Sequence, residues 1–139
     1  MKLSVQSLVG ALAVVALPFQ LAAKPTAGPD VPVRVGAQSE LNACTSIGHG
    51  KAALTVRAAP SASARATAKL DRTHLVWICE QRGGAKWYGI VYGAAAVSHG
   101  KDGLPPACGV ADPINKPKAY RGPCKSGWIP SAAVEMIAG

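Results

Sequence analysis

The chain has 139 residues, enough for one hydrophobic core but too few for a catalytic domain beside a second, targeting domain. Fifteen Lys and Arg against seven Asp and Glu leave a net charge of +8, yet the basic residues are scattered singly among few aromatics, so a nucleic-acid surface is not implied. The acids Asp30, Glu40, Asp71, Glu80, Asp102, Asp112 and Glu135 are equally dispersed, which excludes a carboxylate pair within one motif.

The N-terminal stretch "MKLSVQSLVGALAVVALPFQLAA" joins Lys2, an apolar run from Leu8 to Leu17 and small residues ahead of Lys24. It reads as a secretory signal peptide over residues 1–23. The apolar run is shorter than the roughly 18 to 20 residues that span a bilayer, and Pro18 interrupts it. No cysteine follows closely to accept a lipid. The expectation is a periplasmic or secreted protein with no membrane anchor after cleavage. Residues 24–40, "KPTAGPDVPVRVGAQSE", carry three prolines and two glycines without helical periodicity and read as a flexible spacer outside the core.

From residue 41 to 139 the signals are short apolar runs between turn residues, the pattern of an all-β domain. In "ALTVRAAPS", Leu54 and Val56 alternate with Thr55 and Arg57 as a half-buried strand would, and Pro60 ends it. "HLVWICEQRGGAKWYGIVY" predicts a hairpin whose turn uses Gly83 and Gly84, since glycine takes positive φ without a Cβ clash. Alternation puts Val76 and Ile78 on one face of its first strand, Trp77 and Cys79 on the other. Val76, Ile78 and Ile90 are core candidates, and Trp128 is expected to pack rather than bind. Residues 93–127 are dense in Gly, Pro and Lys and read as a long loop insertion.

Cys44, Cys79, Cys108 and Cys124 all follow the signal, and an even count in an exported chain favours two disulfides. Four cysteines permit three pairings. A bridge from Cys108 to Cys124 would pin the long loop and contribute roughly 3 kcal/mol in the chain-entropy model, so it is the preferred first pair, leaving Cys44 for Cys79. A metal site is not expected, because no two cysteines or histidines have the short spacing that presents ligands to one ion. His49, His74 and His99 read as solvent-exposed loop residues without a role. No cofactor motif is present.

The order "LTVRAAPS", "VWICE" to "WYGIVY", and "GWIPSAAVEMI" resembles the bacterial SH3 domain. The matching residues are Leu54, Val56, Arg57, Pro60 and Ser61 near the start, and Gly127, Trp128 and Ile129 near the end. The resemblance implies a small SH3-like barrel with the disulfide-pinned loop inserted before the last strands, a departure from the tight turn usual there. It implies a non-enzymatic binding module for a peptidoglycan peptide or another cell-envelope component. The alternative is a periplasmic inhibitor or immunity protein that blocks a wall-degrading enzyme, its loop being the inserting element. Arg57, whose planar fork suits a carboxylate, and the aromatics Trp77, Trp87 and Tyr92 are the candidate ligand-binding residues.

Overall fold

A computed structural model describes residues 28–37, 43–94 and 107–139, so the signal-peptide expectation for residues 1–23 lies outside the described residues, as does His99. The elements in chain order are β1 (Arg34–Val35), β2 (Ser46–Gly50), β3 (Leu54–Arg57), β4 (Ala66–Leu70), β5 (Val76–Arg82), β6 (Trp87–Tyr92), β7 (Lys118–Ala119), β8 (Lys125–Pro130), a 3-10 turn (Ser131–Ala133) and β9 (Val134–Ala138). The protein is all-β. Seven strands form one antiparallel sheet in the order β4-β3-β8-β6-β5-β2-β9, while β1 and β7 pair as a separate two-stranded ribbon. Neither sheet closes on itself.

The hairpin expected at residues 76–92 is present, with Gly83, Gly84 and also Ala85 at positive φ in its turn. On β5 the side chains part as period-two alternation requires. Val76 and Ile78 join Leu54, Val56, Ile90 and Ile129 in a core on the inner face of the sheet. Trp77 and Cys79 point the other way, toward a second apolar cluster that contains Val91 and Trp128.

This second cluster is the departure from the expected architecture. The outer face of β5, β6 and β8 is covered by the N-terminal segment and by residues after 107: Val33 and Val35 from one, Cys108 and Val110 from the other. The segment read as a spacer outside the core is therefore in it, with Val33 only 1% exposed. Pro32 stands inside the apolar alternation Val31, Val33, Val35. An extended strap tolerates proline where no N–H is needed, and its neighbours are bonded on both sides. Val31 N–H donates to the Ala58 carbonyl at 2.8 Å, the Tyr120 N–H donates to the Val33 carbonyl at 2.8 Å, and the Trp128 indole N–H donates to the Val31 carbonyl at 2.7 Å.

A bulge at Cys79 completes the fit. Ile78 pairs with Ile90 but Glu80 with Gly89, so one extra residue stands on β5. The bulge turns Glu80 toward the outer layer together with Cys79. There the buried carboxylate accepts the Arg34 N–H and the Arg82 Nε–H, each at 2.7 Å, and the Arg82 guanidinium lies 5.2 Å from the Trp128 ring centroid. A buried charge is tolerable because it is paired and hydrogen-bonded.

Both disulfides form as expected, Cys44 with Cys79 and Cys108 with Cys124. The first ties the entry to β2 onto β5; the second closes 16 residues of the covering layer. The insertion ends earlier than read from sequence, because β8 begins at Lys125 and takes up the last residues assigned to the loop.

Candidate functional site

The four residues expected to bind a ligand are not brought together. Tyr92 is a correction: it is 3% exposed in the inner core, where burial raises its phenol above the usual value. The period-two pattern of β6 placed it on the Ile90 face, and that face is the inner one. His74 is a second correction. It is 4% exposed, its Nε2–H donates to the Gly93 carbonyl at 3.0 Å, and its ring meets Tyr92 edge-on at 5.8 Å. A histidine directly before a strand reads as a loop residue until tertiary packing closes over it.

Arg57 is half-buried and spends one guanidinium donor on the Ala64 carbonyl at 2.8 Å, holding the turn after β3 against β4. Trp87 is half-buried against the outer cluster near the hairpin turn. Trp77 borders a cleft of about 240 Å³ lined also by Cys44, Val110 and Ala138. A wider cleft of about 490 Å³, between β2, the turn before β5 and β9, brings His49, Arg72, Thr73 and Ile137 together. Nearby Asp71 is held below the usual carboxylate range by the Thr73 hydroxyl and then by the Thr73 N–H.

The arrangement best suited to hold a ligand lies on the covering layer and uses none of the four. A cleft of about 320 Å³ has Val35, Ile114 and Pro123 as apolar lining and Lys118 and Arg121 as cations. Its frame is tightly tied. The Tyr120 hydroxyl donates to the Cys108 carbonyl at 2.7 Å and accepts the Cys124 N–H at 3.1 Å, so one phenol bonds both halves of the disulfide. β1 and β7 form one wall, Arg34 standing opposite Ala119 and Val35 opposite Lys118. Gly36 at φ +75° closes the strap's turn, and any Cβ there would strike Ile114. Sequence reading marked this region only as rich in Gly, Pro and Lys. Its one usable signal was the concentration of Lys116, Lys118, Arg121 and Lys125 against the single acid Asp112 between residues 107 and 125.

Among the described residues no group of three or more His, Cys, Asp or Glu is placed to hold a metal ion, and all four cysteines are in bridges. What the cleft can do chemically is desolvate a small apolar group beside an anion. No protein-family model, curated protein or solved structure matches the chain.

Proposed function

We propose that this protein is an exported, non-enzymatic binding module built on an SH3-like barrel, and that it recognises a peptidoglycan peptide or another cell-envelope component. The observation that carries this reading is the cleft of the covering layer, a concave, cross-linked surface with cations beside an apolar lining. Binding sites are commonly placed on connecting segments held by a rigid scaffold, and here the scaffold is the seven-stranded sheet. Further support comes from the short antiparallel strands, from the Gly127–Trp128 strand running into a 3-10 turn, and from two disulfides that agree with an oxidising, exported environment. Fold similarity alone does not assign a ligand, so the weight rests on the cleft.

The test is a pull-down of the protein beginning at Lys24 on purified sacculi, run beside one from envelope lysate. Retention on sacculi is the expected result. Capture of a wall-degrading enzyme from the lysate, with no retention on sacculi, replaces this reading by that of an inhibitor.

A further inference from the structure

The net charge is not spread evenly over the partners available to it. Two ion pairs are formed among the described residues, Arg65 with Asp30 and Arg82 with Glu80. Neither involves Arg34, Lys116, Lys118 or Arg121, all four of which are exposed on the covering layer. They are neighbours. The Arg34 guanidinium donates to the Pro117 carbonyl at 3.1 Å, which sets it between Lys116 and Lys118, and Lys118 and Arg121 share the cleft. Like charges gathered with no ion-pair partner among the described residues raise the local potential and attract an anion.

We infer that the cleft binds an acidic peptide, taking its carboxylate at Lys118 and Arg121 and a short aliphatic side chain against Ile114 and Pro123. This rests on the binding-module reading above and names the ligand chemistry of the same site. Two features choose among anions. A phosphate polymer is hydrophilic throughout and would leave the apolar lining unused, whereas a peptide carries carboxylates and small apolar groups within a residue of each other. A membrane surface is flat and asks for apolar residues that insert; the exposed large hydrophobics among the described residues, Met136 and Ile137, belong to β9 and not to this layer. The Arg121 fork suits a carboxylate bidentately, while Lys118 supplies a point charge. Arg34 and Lys116 extend the field toward the next residue of the peptide.

The experiment titrates the protein beginning at Lys24 with the synthetic capped tripeptide acetyl-Ala-Glu-Ala amide and with its neutral counterpart, acetyl-Ala-Gln-Ala amide, by calorimetry. The acidic peptide should bind about tenfold or more tightly than the neutral one. Its affinity should fall between about 50 and about 200 mM salt. Lys118→Gln with Arg121→Gln should lose about tenfold with an unchanged melting temperature, because both side chains are exposed. Lys51→Gln with Arg72→Gln removes the same charge outside the cleft and should bind as the parent does. Equal binding of the two peptides overturns the inference, and so does an equal loss in the Lys51 and Arg72 variant. Tighter binding of inorganic polyphosphate through Lys118 and Arg121 overturns it as well. If sacculi retain the parent while the acidic peptide does not bind, this inference fails and the binding-module reading stands; if sacculi do not retain the parent while the acidic peptide binds through Lys118 and Arg121, this inference stands and peptidoglycan is excluded as the source of the peptide.

Discussion

Val33 is the residue on which the two-layer architecture can be tested most directly. It is 1% exposed and sits over Gly89, where a Cβ would come within 3.0 Å of Val33 Cγ1, 3.1 Å of Glu80 Cβ and 3.2 Å of Trp128 Cζ3. Val33→Ala deletes two buried carbons, worth about 0.8 kcal/mol each in transfer. The hole left behind adds about 1 kcal/mol if its walls relax little, for a total near 2 to 3 kcal/mol. In a domain of this size that lowers the melting temperature by about 8 °C or more. Gly89→Ala should also destabilise, since the new methyl meets all three neighbours at distances that force one of them to move. Combined, however, the two changes should cost clearly less than their sum, because the methyl added at position 89 enters the space Val33 vacates. The assay is urea unfolding of the two single variants and the double variant, with exposed Lys69→Ala as a control expected within about 0.5 kcal/mol. A Val33→Ala cost inside that same range, or strict additivity in the cycle, would refute the placement of residues 28–37 in the core.

Ala85→Gly should stabilise by up to about 1 kcal/mol in thermal unfolding, because Ala85 stands at φ 63°, where a Cβ is penalised and glycine is not. Replacing Cys108 and Cys124 together by Ser should cost about 3 kcal/mol by the chain-entropy model for 16 residues, and binding at the cleft should weaken with it; unchanged denaturation would show that Tyr120 alone holds the layer. Tyr92 has its phenol raised by burial, so its contribution to stability is intact below the unfolded value of about 10 and is lost as pH rises through the folded one. Tyr92→Phe should therefore flatten the alkaline limb of a melting-temperature profile, and an identical limb in both proteins would exclude Tyr92 as its source. Replacing residues 93–124 by a tight glycine turn should give a chain that binds a hydrophobic dye or fails to fold, since it strips Cys108, Val110 and Tyr120 from the outer face; a cooperative melt like the parent's would show the layer to be dispensable.

Strand patterning by itself determined the all-β class, the hairpin over residues 76–92 and the inward turn of Val76, Ile78 and Ile90, because each depends on local period or turn chemistry, while the even cysteine count implied two disulfides and loop length only favoured the pairing that forms. Trp77 and Cys79 were likewise assignable to the opposite face. What alternation cannot say is whether the opposite face meets water or protein, and that depended on two segments far apart in sequence arriving there together. Residues 31–35 look like a proline-bearing linker until Trp128 and Tyr120 donate to the Val31 and Val33 carbonyls and Glu80 accepts the Arg34 N–H. The same long-range meeting made the cleft: Val35 comes from the strap, Ile114 and Arg121 from the segment that Cys108 and Cys124 close. Tyr92 and His74 went inside for the reciprocal reason, since long-range packing, and not the identity of an aromatic or a histidine, decides which face is enclosed.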